Sequence, residues 1–188
     1  MTRIAIFASG SGSNAQNIAE YFRNNPNIDI SLILANKADA YVLERAENLK
    51  IDSFVFSNKE LQNTEIVLEK LLEYRIDFIV LAGFLLKVPD YLTEAFPNKI
   101  VNIHPALLPK YGGKGMYGMN VHNAVVENKE EESGITIHYV NENYDEGQII
   151  FQATIPVLPE DTPDDVASKI HDLEYDNFPK IIEQVINK

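Results

Sequence analysis

Three polar side chains carry the most evident chemistry in this chain: Asn102 and His104, two residues apart, and Asp145 in a later loop. An amide can donate its N–H to a developing oxyanion, an imidazole can carry a proton, and a carboxylate can bias that imidazole. In Ile100-Val101-Asn102-Ile103-His104-Pro105, alternate residues of a strand face the same way, so Asn102 and His104 project side by side. Pro105 has no N–H for a ladder, so the strand ends where His104 emerges. Open α/β sheets bind ligands at such strand ends. Read alone, an Asn-x-His pair is more often a structural hydrogen-bonding pair than an active site. Asp145-Glu146-Gly147 read alone is equally a plain turn.

The elements that must position these residues can be read in order. Arg3 to Ser9 is a short apolar run, as a buried parallel strand should be. Ser9-Gly10-Ser11-Gly12-Ser13-Asn14 follows, and Ala15, Ile18, Ala19 and Phe22 then recur at helical spacing. Strand, glycine-serine loop and helix form a phosphate cradle, in which backbone N–H groups and the helix dipole meet an anion. The loop lacks the third glycine of a dinucleotide fingerprint and the Gly-Lys-Ser ending of a Walker loop. A tight turn with Ser13 or Asn14 as N-cap therefore fits the same residues.

A strand over Asp29–Ala35, a helix to about Leu49 and a strand over Ser53–Phe56 come next. One helix from about Glu60 to Tyr74 places Val67, Leu68, Leu71 and Leu72 on one face, before an apolar strand over Asp77–Phe84. The alternation predicts an α/β fold, a doubly wound, mostly parallel sheet with helices on both faces. Gly83 to Pro89 leaves its strand at the same edge as the Asn–His pair and suits either core or a pocket wall. Lys110 to Asn120 holds four of the nine glycines, so it is not regular structure. A neutral insertion and a lid over bound ligands both fit it. A helix over Val121–Asn128 has His122 at its start. Strands over Gly134–Val140 and Gln148–Val157 flank the Asp145 loop. Thr162 and Pro163 cap and open the last helix. His138 reads as structural, Glu174 as a surface residue, and for His122 a surface role is as fitting as a functional one.

With 188 residues, 45% of them hydrophobic, the chain suits one domain over 1–188, divided into halves at 1–100 and 101–188. The absence of cysteine excludes disulfides and thiolate chemistry. No metal is expected. Sixteen basic against 28 acidic residues leave a net charge of −12, which argues against nucleic-acid and anionic-membrane partners. An anionic ligand must then be held by a local field, such as a helix amino terminus or a single lysine. No apolar run approaches the roughly 20 residues that span a bilayer, and Met1–Phe7 lacks the form of a signal peptide. A cytoplasmic protein, monomer or homodimer, is the expectation.

The string Asn102-Ile103-His104-Pro105-Ala106-Leu107-Leu108-Pro109, with Asp145-Glu146-Gly147 beyond it, resembles the signature of the folate-dependent formyltransferases. Those enzymes carry Asn-x-His-Pro-Ser-Leu-Leu-Pro and an Asp-x-Gly loop, so Ala106 replaces the usual serine. The resemblance implies formyl transfer from 10-formyltetrahydrofolate, as co-substrate, to the amine of glycinamide ribonucleotide in purine synthesis. It implies Asn102, His104 and Asp145 as catalytic, and Gly12, Ser13, Asn14 and Glu174 as ribonucleotide contacts. The folate would lie on Leu85, Leu86, Lys87 and Val88, on Asn102, and on Asn141, Glu142, Asn143, Tyr144 and Asp145. Many bacterial members have arginine where Leu86 stands. Other family activities, on an amino-sugar nucleotide or as a formyltetrahydrofolate hydrolase, are alternatives, and a non-catalytic nucleotide-binding module is another.

Overall fold

The computed structural model describes residues 1–188. Seven strands form one sheet in the order β3-β2-β1-β4-β5-β6-β7. The chain divides into two compact units, Met1–Val101 and Asn102–Lys188, with β5 (Ile100–His104) beginning in the first and ending in the second.

The first unit alternates strand and helix. β1 (Thr2–Ala8) pairs in parallel with β2 (Ile28–Ala35) on one side and β4 (Phe78–Leu81) on the other. β2 pairs in parallel with β3 (Ser53–Val55). Ile4 to Ala8 and Leu32 to Ala35 are all buried, which explains their continuous apolar runs. Beneath the carboxyl ends of the strands the rings of Phe7, Phe56 and Phe84 form a triad, with centroids 5.3 to 6.1 Å apart. Each buried ring contributes about 1.5–3 kcal/mol and stiffens the floor under the loops above. The helices are α1 (Ser13–Phe22), α2 (Val42–Leu49), α3 (Asn58–Asn63), α4 (Ile66–Glu73) and α5 (Asp90–Ala95).

The single helix expected over Glu60–Tyr74 is in fact two. Thr64 is extended, and its Oγ1 donates to the Glu60 carbonyl at 2.7 Å while the Asn63 amide donates to Lys59 at 3.0 Å. Polar side chains thus take the last carbonyls of α3 and end it. On α4, Val67 and Leu71 are buried, but Leu72 is 62% exposed and lies off the core face. The short helix α5 carries no sequence signal strong enough to be foreseen.

In the second unit, α6 (Met119–Glu127) and α7 (Pro163–Ile186) accompany β6 (Glu132–Tyr139) and β7 (Ile149–Pro156), which pair antiparallel. The register shifts between Ile137 and His138, so Ile137 faces Phe151 and His138 faces Ile149, with Ile150 skipped as in a bulge. Thr162 and Asp165 form a capping box ahead of α7, as Thr162-Pro163 suggested. No helix is long and apolar enough to cross a membrane.

Candidate active site

Asp145 lies between two histidines. Its Oδ2 is 3.6 Å from Nδ1 of His104, at the end of β5, and its Oδ1 is 3.6 Å from Nε2 of His138, on β6. The same Oδ2 accepts the Gly113 N–H at 2.9 Å. The Nε2 of His104 lies 2.7 Å from the Tyr111 carbonyl. A carbonyl can only accept, so that nitrogen carries the proton and Nδ1 is the one turned to Asp145. Likewise His138 Nδ1 must donate to the Tyr139 carbonyl at 2.8 Å. With the ring neutral its Nε2 accepts, and the Asn102 amide nitrogen donates to it at 3.1 Å. The tautomer of His138 thereby decides which end of the Asn102 amide is the donor end.

Two glycines permit this packing. A Cβ on Gly147 would sit 1.7 Å from the Tyr139 carbonyl oxygen, so the turn carrying Asp145 can lie on β6 only without one. On Gly112 it would meet Leu108 Cδ2 at 2.6 Å and the Asp145 Cβ at 3.4 Å. The signature before it is pinned by Thr136, whose hydroxyl donates to Ala106 at 2.7 Å and accepts the Leu108 N–H at 3.0 Å.

Burial sets the electrostatics. It holds the His104 imidazole below its ordinary value, and the charge of Asp145 and the Tyr111 carbonyl only partly restore it. Asp145 thus biases the ring toward its charged form, as a neighbouring carboxylate should, but desolvation is the larger effect. For Asp145 burial works upward, yet the His138 and His104 rings and the Gly113 N–H outweigh it and hold the carboxyl below its usual range.

In the first unit, the loops after β1 and β4 meet at the point where strand order reverses, the place where open α/β sheets bind ligands. Ser9 N–H donates to the Gly83 carbonyl at 3.0 Å, and Leu85 N–H donates to Ser9 Oγ at 3.0 Å. Gly12 is left-handed, with φ 71°, and is the N-cap of α1, with no side chain capping it. Ser13 opens the helix, so neither it nor Asn14 is the cap that the turn reading required. A Cβ on Gly12 would fall 2.3 Å from Cγ2 of Val42 on α2. Arg45, also on α2, donates from Nε to the Ser11 carbonyl at 2.8 Å and hydrogen-bonds Gln16. The loop thus has a bare helix start with one guanidinium beside it.

Residues 2–182 match the family described as formyl transferase. The chain belongs to the formyl transferase family. It is 36% identical over 188 residues to the phosphoribosylglycinamide formyltransferase of Haemophilus influenzae, covering 97% of this chain and 86% of that one. It is 40% identical to the chloroplastic enzyme of that name from Arabidopsis thaliana, covering 96% of this chain and 64% of the plant protein. A solved glycinamide ribonucleotide transformylase from Geobacillus kaustophilus superposes with a TM-score of 0.89 at 33% identity, covering 98% of each chain.

Within this formyl transferase chain, Asn102, His104 and Asp145 do come together, joined by a residue that sequence reasoning set aside. His138 is that residue, and its signal was its place on β6, one strand residue before the loop leading to Asp145. Asn141 to Tyr144 forms the outer part of that loop, with the Asn143 N–H closed onto the Asn141 side chain at 3.0 Å and Tyr144 38% exposed. Around Leu85, the Leu85 side chain is 40% exposed and Leu86 half-buried, whereas Val88 is buried and the Lys87 carbonyl accepts from Gln62 at 3.1 Å. Glu174 is corrected from surface to interior, at 6% exposure, and of the two roles open to His122 the surface one is ruled out, at 4%. Glu174 Oε2 lies 3.2 Å from His171 Nδ1, one turn earlier on α7. Arg45 was missed, because nothing in its spacing links α2 to the loop after β1.

Proposed function

We propose that this protein transfers the formyl group of 10-formyltetrahydrofolate to the amine of glycinamide ribonucleotide, the reaction of purine synthesis. The observation that carries the reading is the Asn102–His138–Asp145–His104 array, in which one carboxylate, its side chain 13% exposed, faces two imidazoles and the amide donor is oriented by the second. The folate supplies the formyl group. The exposed side chains of Leu85 in one unit and Tyr144 in the other each offer apolar surface of the kind that suits a flat heteroaromatic ring.

The chain's own groups act as follows. Neutral His104 presents the Nδ1 lone pair and takes the proton released as the amine attacks. The imidazolium so formed faces Asp145 at 3.6 Å and is stabilised when it is needed, rather than at rest. It then returns the proton to the leaving nitrogen. Asn102 spends one amide hydrogen on His138, and its second is free for the oxyanion. The ribonucleotide phosphate is assigned to Gly12, Ser13 and Asn14 at the start of α1, with Arg45 as the nearby cation. Glu174 is assigned to the ribose hydroxyls.

The test uses purified protein, both substrates, and the absorbance of the folate product. Parallel arms replace the ribonucleotide with an amino-sugar nucleotide or with water alone. Turnover with glycinamide ribonucleotide and little in the other arms is expected. Release of formate without an amine acceptor would instead make the protein a hydrolase.

A further inference from the structure

The main chain of Tyr111 to Gly113 holds both members of the proton-handling pair, the Nε2 of His104 through a carbonyl and the Oδ2 of Asp145 through an N–H. Yet this is the start of a glycine-rich stretch with little stiffness of its own. Gly113 has φ 92°, and Tyr111 itself has φ 55°, a left-handed conformation that costs any residue with a β-carbon. Something has to keep Tyr111 there. Its hydroxyl donates to Glu130 Oε1 at 2.9 Å, and Lys110 Nζ reaches both oxygens of the same carboxylate at 3.0 and 3.1 Å.

Glu130 is in turn well anchored. It follows α6, and its N–H donates to the Val125 carbonyl at 3.1 Å while the Lys129 N–H donates to Val126 at 3.0 Å. With Lys129 left-handed at φ 53°, these bonds make the Schellman closure of a helix end. Val125 is buried, so that end is fixed to the core. Rigidity therefore passes from the end of α6 to the Glu130 carboxylate, from there to the Tyr111 ring, and from its main chain to the catalytic imidazole. The Lys110 ammonium is 68% exposed, and such an ion pair is worth little, so the Tyr111 hydroxyl is the effective link.

We propose that Glu130 is a positioning residue for formyl transfer, bracing Tyr111 so that the 111–113 main chain holds His104 and Asp145 in register. The proposal rests on the reading of those two residues as the proton-handling pair.

Glu130→Ala, Glu130→Gln and Tyr111→Phe are compared with wild type and with His104→Ala, by steady-state kinetics and by NMR titration of the His104 ring. Glu130→Ala and Tyr111→Phe should each lower kcat about 10- to 100-fold, the scale of a slight misplacement, with the ribonucleotide KM changed by less than about twofold. The His104 midpoint should fall, because the imidazolium loses its fixed carbonyl acceptor. Glu130→Gln keeps an oxygen for the Tyr111 hydroxyl and should recover most of the rate. Should Glu130→Ala fail to fold, Tyr111→Phe carries the same test with one oxygen removed. Wild-type kcat and an unmoved His104 titration in Glu130→Ala or Tyr111→Phe, with His104→Ala inactive, would overturn the brace. A lowered melting temperature alone would overturn it too. Full activity in His104→Ala would instead bring down the underlying reading of the pair.

Discussion

The Nδ1 of His104 stands 3.6 Å from the Oδ2 of Asp145, and it does so as the unprotonated nitrogen of a buried ring. Because burial depresses the imidazole and the carboxylate partly restores it, Asp145→Asn should lower the His104 pKa further. Turnover should fall about 10²- to 10⁴-fold, or about 3–5 kcal/mol of barrier, and His104→Ala should cost at least as much. The double variant should be far less impaired than the product of the two. Kinetics against pH with the ring titration checks this, and a His104 midpoint unmoved in Asp145→Asn would sink the pairing.

The Asn102 amide is aimed by His138. Asn102→Ala, which removes the proposed oxyanion donor, should cost about 10²- to 10³-fold in kcat. His138→Phe leaves that amide free to turn and should cost about tenfold, with no further loss when combined with Asn102→Ala. Single-turnover rates for the three variants decide it, and strictly multiplicative losses would count against the link.

Gly147→Ala would press a methyl group into the Tyr139 carbonyl. A loss of at least about 2 kcal/mol of stability is expected, together with a fall in kcat because the Asp145 turn must move. Gly134→Ala makes a similar clash with the Ala153 carbonyl, at 2.0 Å, in a different part of the hairpin. It should cost stability with a much smaller effect on kcat per kcal/mol lost. Denaturant titration beside kinetics at a permissive temperature separates the two.

At the loop after β1, Gly12→Ala collides with Val42 and is strained by its positive φ. Ribonucleotide affinity and stability should therefore fall together, so the substitution does not isolate phosphate binding. Arg45→Gln is the cleaner probe, and it should weaken the ribonucleotide by several-fold while leaving folate affinity unchanged. Calorimetry with each ligand tests this, equal losses for both being the adverse result.

Acid sensitivity should come partly from His122. Burial, and then the charge of His171, hold it below its ordinary value, against the opposing charge of Glu174. Above that value both folded and unfolded states are neutral and nothing is gained or lost. As pH falls through the ordinary 6.5, the unfolded chain takes a proton that the folded one resists, so stability is lost down to the folded-state value. His104 acts in the same direction. His171, raised chiefly by its hydrogen bond to Glu174, has the opposite sign: its contribution is present at low pH and lost as pH rises through its folded value. The melting temperature should drop between about pH 7 and 5, and drop less in His122→Gln. An unchanged slope in that variant would refute the assignment.

Much of this was legible in the chain because the relevant signals are local. Period-two placement put Asn102 and His104 on one face, Pro105 ended their strand, and the apolar runs of β1, β2 and β4 announced parallel strands buried on both sides. Thr162-Pro163 marked the start of α7 for equally local reasons. What escaped depends on long-range packing. The break at Thr64 turns on side chains capturing carbonyls four residues back, which competes closely with a continuous helix. The burial of Glu174 and His122 is a property of α6 against α7, and no window of either helix contains it. His138 looked structural because its partners, Asn102 and Asp145, reach it from two other segments. The charge state of His104 was not legible, because a neighbouring acid can be read from sequence, whereas the depth of burial cannot.

The skipped Ile150 in the β6–β7 pairing bears on how this chain can vary. Side chains on a strand alternate, so one residue more or fewer between His138 and Ile149 would exchange the faces of everything beyond it. The bulge absorbs one such step on β7, so the ladder stays paired on both sides of it. Length in this hairpin is therefore constrained more tightly than composition. Deletion of Ile150 would take the bulge away while leaving Asn102, His104, His138 and Asp145 in the chain, so any change in that variant would come from backbone geometry alone.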